Sequence, residues 1–306
     1  LISHYSGTMV RLFEQYATKY GVPDCLHAHD VHLAGIAASK LSSKYGVPFV
    51  FTEHNSRFGQ NNVDSRYRQA YFDALENASV RTAVSTAQGM ALEEFYDERK
   101  YNFEVLPNVI DPVFTSIATN RGDNVKKEGF VFLHIGSFDE NKDQATLLKA
   151  FSRAFKGKKA TLRIGGEGHL LAELTVLAKN LGVERQVKFL GRLSREMVVQ
   201  ELSSADCFVL SSRYETFGVV LIEALAMNVP VISTKCGGSE DIVNERNGIL
   251  VSPESIGELS MAMQDMVQTH QYYLTQGLRE NVLLKFGENA FVEKATSVYR
   301  RAIEAR

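Results

Sequence analysis

The sequence predicts an α/β chain made of two doubly wound parallel-sheet domains. Three observations carry this expectation. Short β-branched and aromatic runs alternate with amphipathic helical stretches almost from end to end, the rhythm of strands joined by crossover helices. The 306 residues are enough for two separate cores. Runs such as Phe130–Ile135 are apolar almost throughout, as strands buried on both faces are.

The elements follow in order. A helix is expected over Thr8–Tyr20, a strand at Cys25–Ala28, a helix over Val31–Tyr45 and, after the Gly46-Val47-Pro48 break, a strand at Phe49–Thr52. A polar stretch then leads to a helix at Arg66–Asn77, a strand at Ser79–Val84, a helix at Ala87–Phe95 and a strand at Phe103–Leu106. Pro107, Pro112 and the polar segment Ser116–Lys127 read as a linker. The second series gives strands at Phe130–Ile135, Ala160–Ile164, Val187–Leu190, Cys207–Leu210 and Val229–Ser233. Helices are expected between them at Gln144–Phe155, His169–Leu181, Arg195–Leu202 and Phe217–Met227. A short helix near Glu240–Asn244 and long helices from Ile256 to Ala305 complete the chain. Ligands of such folds bind beyond the carboxyl ends of the strands.

Composition narrows the function. A net charge of −2 gives no field for holding a polyanion, which argues against nucleic acid as a partner. No apolar run approaches the roughly 20 residues that span a bilayer. Cys25, Cys207 and Cys236 are isolated and odd in number, which reads as core residues in a reducing, cytoplasmic setting rather than staples or a zinc site. Asn77-Ala-Ser79 matches a glycosylation acceptor formally, and without a secretory pattern it reads as chance.

The stretch Ser211–Leu225 is the most informative. It reads as a strand end, a polar loop and a helix with Gly218 in its first turn, so the free N–H groups of Thr216, Phe217, Gly218 and Val219 would form an anion site. Glu223 is the one ionisable residue between Phe217 and Met227. A carboxylate in a buried helix is costly unless something hydrogen-bonds it, and either ligand hydroxyls or a salt bridge to an arginine elsewhere would serve.

Glu215 and Glu223, eight apart within Glu-Thr-Phe-Gly-Val-Val-Leu-Ile-Glu, resemble the E-x7-E motif of the retaining glycosyltransferases of family 4, glycosyltransferase group 1. Val229–Val243, Asn247–Val251, Ile135–Asp143, Ile164–Gly168, Val187–Gly191, Pro107–Asp111, Pro23–His29 and Thr52–His54 extend the similarity along essentially the whole chain. The resemblance implies the GT-B fold of two Rossmann-like domains, here residues 1–115 and 129–285, with a linker at 116–128 and a terminal helix at 286–306 packing back on the first domain. It implies that Glu223 accepts hydrogen bonds from the ribose of a nucleoside-diphosphate sugar, that Glu215 faces the transferred sugar and that Lys142 neutralises the diphosphate. The Thr216–Val219 amides, Gly136, Ser137, Gly165, Gly166 and the backbone at Leu190 would line the donor, and His54 would contact the sugar on the acceptor side. Ser137 stands where the family usually carries an arginine. The resemblance also implies no cofactor, no metal site and no DxD motif, and no such motif occurs in the sequence. The implied function is sugar transfer to a glycan, lipid-linked or small-molecule acceptor in cell-surface polysaccharide or glycoconjugate synthesis. The setting would be the cytoplasm, with peripheral contact at the inner membrane face left open although the first half carries no basic patch.

Two rivals remain. His27-Ala-His-Asp-Val-His32 nearly spells the H-x-H-x-D-H motif of metallohydrolases, with the aspartate one place early. A nucleotide-sugar-binding relative that lost its chemistry is the other. Family members also open with a strand, a glycine loop and a helix before the segment that starts here at Pro23, so the first domain is expected to lack its beginning.

Overall fold

The computed structural model describes residues 2–60, 63–96, 101–117 and 129–305. Residues 118–128, most of the expected linker, lie outside the described residues. The chain divides into two compact units, Leu1–Asn108 with Asn289–Arg306, and Val109–Glu288.

The first unit contains helix α1 (Ile2–Tyr20), strand β1 (Leu26–His29), a π-helical turn Val31–Gly35, α2 (Ile36–Tyr45) and β2 (Phe49–Glu53). A 3-10 turn Ser65–Tyr67, α3 (Arg68–Asn77), β3 (Val80–Ala83), α4 (Thr86–Phe95) and β4 (Glu104–Val105) follow, and the last helix of the chain, α12 (Glu288–Glu304), closes the unit. Among the described residues its four strands are all parallel, in the order β1-β2-β3-β4. Because that order never reverses, right-handed crossovers deliver their helices to one face. There Phe49, Phe51 and Ala83 pack with Ile36, Tyr71, Leu75 and Leu92. Side chains alternate along a strand, so Val50 faces the other way and meets Val80, Val298 and Ala302. α12 thus covers the face that the crossovers leave bare.

The second unit contains α5 (Pro112–Thr115), β5 (Phe130–Ile135), α6 (Gln144–Phe155), β6 (Ala160–Gly165), α7 (Leu171–Asn180), β7 (Val187–Gly191) and α8 (Arg195–Ser204). Then come β8 (Cys207–Leu210), α9 (Val219–Ala226), β9 (Val231–Thr234), a 3-10 turn Gly238–Asp241, β10 (Gly248–Val251), α10 (Ile256–Leu274) and α11 (Leu278–Phe286). Six parallel strands run β10-β9-β8-β5-β6-β7, so the winding reverses between β5 and β8. The helix starts are written in the sequence: Asp143 caps α6 through the Thr146 amide, Ser194 caps α8 through Met197 and Ser255 caps α10 through Glu258.

Two expectations need correcting. Val109–Thr115, expected in the first domain, lies in the second unit. The Ile110 amide donates to Phe286 O at 3.0 Å, Phe114 is fully buried, and the Arg279 guanidinium donates to Phe114 O at 3.0 Å and Thr115 O at 2.6 Å. The prolines on either side mark turns, not the boundary. The second unit also has a sixth strand, β10, that was not expected.

Candidate nucleotide-sugar site

In open parallel sheets the ligand crevice lies at the carboxyl ends of the strands where the order reverses. Here that place is between the ends of β5 and β8, and the predicted residues of the second unit gather around it. Past β5, Gly136 is held by its amide on Gly165 O at 3.0 Å. Ser137 Oγ donates to Asp139 Oδ2 at 2.5 Å, while Asp139 Oδ1 accepts from the Asn141 and Lys142 amides at 3.0 and 3.1 Å. The Asn141 side chain donates to Tyr214 O at 2.9 Å and accepts from the Tyr214 amide at 3.2 Å, tying the loop after β5 to the loop after β8.

Those loops bring Lys142 and Glu215 into contact. Lys142 Nζ donates to Glu215 Oε1 at 2.5 Å, and Ser212 Oγ donates to the same oxygen at 2.6 Å. The lysine expected to meet the diphosphate is therefore paired with the carboxylate expected to face the sugar, so a ligand there meets a preassembled ion pair. Below it, His134 is fully buried, and burial depresses its pKa to about 4. Its Nδ1–H donates to Val209 O at 2.9 Å, and Gln144 Nε2 donates to both its Nε2 at 3.2 Å and Ser137 O at 2.7 Å.

Gly165 and Gly166 do allow close approach, but to the protein itself. A Cβ on Gly166, at φ 138°, would stand 1.9 Å from Gly136 O, and one on Gly165 would stand 2.5 Å from Leu193 Cδ1. Leu190 lies half-buried on β7. Gly218, at φ 96°, is the N-cap of α9. Among the described residues the amides of Thr216, Phe217, Gly218 and Val219 make no backbone hydrogen bond, and Leu221 is the first to donate, to Gly218 O at 2.9 Å. The loop is braced by the Glu215 amide on Cys236 O at 2.7 Å, the Gly238 amide on Glu215 O at 2.9 Å and the Phe217 ring against Phe286 at 5.5 Å.

Glu223 is 2% exposed. Of the two ways to satisfy it, the salt bridge is present: Arg195 reaches Glu223 Oε1 at 2.9 Å. Burial still pushes the Glu223 pKa up, against the pull of Arg195. Arg195 gave no local signal in the sequence; its partner lies 28 residues away on another helix.

His54 lies in the first unit, at the carboxyl end of β2. Its Nε2 is 2.8 Å from His29 Nδ1, and its pKa is lowered by burial and by His29, with the Asn108 side-chain hydrogen bond opposing. The metal reading of His27, His29 and His32 fails on geometry. Thr82 Oγ1 donates to Phe51 O at 2.9 Å and accepts from Thr52 Oγ1 at 2.5 Å, so Thr52 accepts from His27 Nε2–H at 2.7 Å. His27 Nδ1 then accepts from Tyr299 Oη at 2.8 Å, and both its ring nitrogens are engaged. His32 turns to Tyr71 Oη at 2.6 Å instead. Among the described residues no group of three or more His, Cys, Asp and Glu is placed to hold a metal ion.

Glu53 is a further buried group. It accepts from the His54, Asn55 and Val31 amides at 3.0, 2.8 and 3.3 Å, and burial raises its pKa to about 8. A carboxylate closing the apolar run Phe-Val-Phe-Thr-Glu was its sequence signal. The folded chain keeps a proton on Glu53 that the unfolded chain, at the usual 4.5, releases. This group therefore adds stability as pH falls from about 8 toward 4.5. The half-buried His27 and the buried His134 act in the opposite sense, costing stability as pH falls through 6.5 and below. Above the histidine range, between about pH 7 and 8, the melting temperature of Glu53→Gln should fall less with rising pH than that of the unaltered chain. Equal slopes in a pH series of thermal melts would contradict the assignment.

The family model described as glycosyl transferases group 1 matches residues 116–281, and the model for glycosyltransferase family 4 matches residues 4–114. An uncharacterized glycosyltransferase of Methanocaldococcus jannaschii is 25% identical over 98% of this chain and 82% of its own length. A glycogen synthase of Mycobacterium tuberculosis is 29% identical over 80% of this chain, which spans 60% of that enzyme. Among solved structures, a sucrose-phosphate synthase from Thermosynechococcus elongatus superposes with a TM-score of 0.81 at 24% identity, covering 97% of this chain and 78% of that one. Anabaena HepE in complex with UDP gives 0.82 at 20% identity, covering 95% and 81%. No helix among the described residues is long and apolar enough to cross a membrane. The chain belongs to the glycosyl transferases group 1 family and is a glycosyltransferase of the GT-B type.

Proposed function

We propose that this chain is a retaining, metal-independent hexosyltransferase that moves a sugar from a nucleoside-diphosphate sugar to a glycan, lipid-linked or small-molecule acceptor. The observation that carries the reading is the Lys142–Glu215 pair at the point where the strand order reverses, eight residues before the buried Glu223. HepE, described with UDP, makes UDP the first nucleotide to try. Relatives described as glycogen synthase, sucrose-phosphate synthase and a putative teichuronic acid glycosyltransferase favour polysaccharide or glycoconjugate synthesis over other uses.

In this reading the donor diphosphate meets Lys142 and the free amides at the start of α9, and Glu223 accepts from the ribose. The bond from the sugar C1 to the phosphate oxygen breaks as the acceptor oxygen bonds C1 on the same face. The acceptor proton passes to the departing phosphate, so no carboxylate nucleophile is needed. Positive charge and oriented N–H groups stabilise the leaving diphosphate. A panel of nucleotide sugars, assayed for donor hydrolysis and transfer with and without EDTA, tests this. Turnover of one donor unchanged by EDTA is expected, and activity abolished by the chelator and restored by Mn²⁺ would overturn metal independence. Donor binding with no turnover on any acceptor would favour a relative that lost its chemistry.

The groups assigned to the nucleotide all lie in the second unit, whereas His54 lies in the first. His54→Ala should therefore lower kcat by about tenfold or more, the scale of a lost acid–base or positioning contact, with UDP affinity nearly unchanged. Equal losses in both would make His54 a donor-binding or folding residue.

A further inference from the structure

Arg195 is not among the expected site residues, yet it pairs with one that is. It opens α8, and one guanidinium nitrogen lies 2.9 Å from Glu223 Oε1. The same nitrogen donates to Asp111 Oδ2 at 3.0 Å, joined there by Nε at 3.2 Å, and the guanidinium carbon sits 4.7 Å over the Phe114 ring. Asp111 is itself fixed, because its Oδ1 accepts from the Val113 amide at 2.9 Å and caps α5. The arginine is thus clamped on two sides before it reaches Glu223.

Glu223 has little else. Its neighbours on α9, Leu221, Ile222, Ala224 and Leu225, are all buried apolar residues. β8 and β9, Cys207–Leu210 and Val231–Thr234, bring no charged side chain. From α11, Arg279 gives its guanidinium to the carbonyls of Ala226, Phe114 and Thr115, and Lys285 donates to Asp241 O at 2.6 Å. The remaining charge that acts on Glu223 is Asp111, of like sign. Among the described residues Glu223 Oε2 makes no hydrogen bond, so one ion pair opposes protonation of the carboxylate and leaves one oxygen open.

We propose that Arg195 is a positioning residue of the nucleotide site. It keeps Glu223 ionised and turned so that Oε2 is presented to a ligand hydroxyl, while Asp111 and Phe114 hold the guanidinium in place. This rests on the reading that Glu223 accepts from the ribose. Without Arg195, Glu223 faces apolar side chains and a second carboxylate, and its pKa is pushed further up, toward the protonated form. A neutral acid is the weaker acceptor, and raising the pH restores the acceptor by removing that proton.

The test is calorimetric titration of the full chain with UDP from pH 6 to 8.5, each variant taken relative to the unaltered chain at the same pH so that titration of the nucleotide cancels. Arg195→Met should bind UDP about tenfold more weakly at the acid end of the series and recover several-fold toward the alkaline end, the signature of a displaced carboxylate titration. Arg195→Lys keeps the charge and should restore a flat ratio. Should the methionine variant fail to fold, Arg195→Gln takes its place with the same expectation. A loss that is the same at every pH would make Arg195 a direct nucleotide contact, and no loss would remove it from the site; either overturns the proposal. Glu223→Gln separates the two layers. If it binds UDP as the unaltered chain does, the ribose reading itself fails. If it binds weakly while Arg195→Met shows no pH-dependent recovery, only the role of Arg195 fails.

Discussion

Glu223→Ala is expected to weaken UDP binding by at least about tenfold while the second unit stays folded. A hydrogen bond to a charged group contributes about 1.5–3 kcal/mol, and about 1.4 kcal/mol is a tenfold change in affinity, so losing even one ribose contact reaches that level. The fold should tolerate the change because Arg195 retains Asp111 at 3.0 Å and is nearly half exposed, so no isolated charge is left inside. Deleting a carboxylate that resists burial also offsets part of the cavity it leaves. Calorimetry with UDP beside a thermal melt checks both parts, and unchanged affinity in a folded variant would refute the ribose assignment.

Gly166→Ala should cost the second unit about 3 kcal/mol or more, because it combines backbone strain with a collision that cannot relax locally. Its Cβ would lie 1.9 Å from Gly136 O and 2.9 Å from Gly136 C, both backbone atoms. The Gly136 turn is in turn held to Gly165 O, and Gly166 N donates to Gly191 O at 2.8 Å, so relief means parting the ends of β5, β6 and β7. UDP affinity should fall with the stability. Gly157→Ala is the control: its φ is 73°, but nothing lies within 4 Å of its Cβ, so the cost should be about 1–2 kcal/mol of left-handed strain alone. Similar melting temperatures for the two variants would show that the close packing of Gly166 on Gly136 carries no stability.

How much of this was legible in the sequence depended on how local the cause was. β5 and α6 came out at their observed ends, since an apolar run of strand length and an Asp cap before an amphipathic stretch are both contained in a dozen residues. β10 was missed because Gly-Ile-Leu-Val is short and opens on a glycine, and its strand character comes from pairing with Val231–Thr234. That Gly248 must be glycine shows only in three dimensions, where a Cβ would stand 2.1 Å from Val231 O. The boundary between the units was hidden for a similar reason: Ile110 and Phe114 look like any apolar residues after a proline, and only Phe286 and Arg279 say which core they join. At the site, the glutamates, Lys142 and the glycine turns were readable as a motif. That Lys142 pairs with Glu215, and which arginine answers Glu223, were not, because both depend on segments that meet only when the sheet is assembled.

One sheet face of the first unit is covered by a helix far along the chain from its strands, and this has a bearing on biosynthesis. Val298 and Ala302 cover Val50 and Val80, and Tyr299 donates to His27, yet these residues emerge from the ribosome nearly two hundred positions after β4. The continuous stretch Val109–Glu288 has all its strands in hand well before that. Nascent chains commonly fold from the amino end, at about 5–20 residues per second; here the order would be inverted, with the later-made unit settling first. For roughly ten seconds or more at that pace the early sheet waits with one face, bearing Val50 and Val80, uncovered by α12. Chaperone capture and premature degradation should therefore fall on the amino-terminal part. A fragment ending at Asn108 should be aggregation-prone, and supplying Asn289–Arg306 as a separate peptide should rescue its solubility.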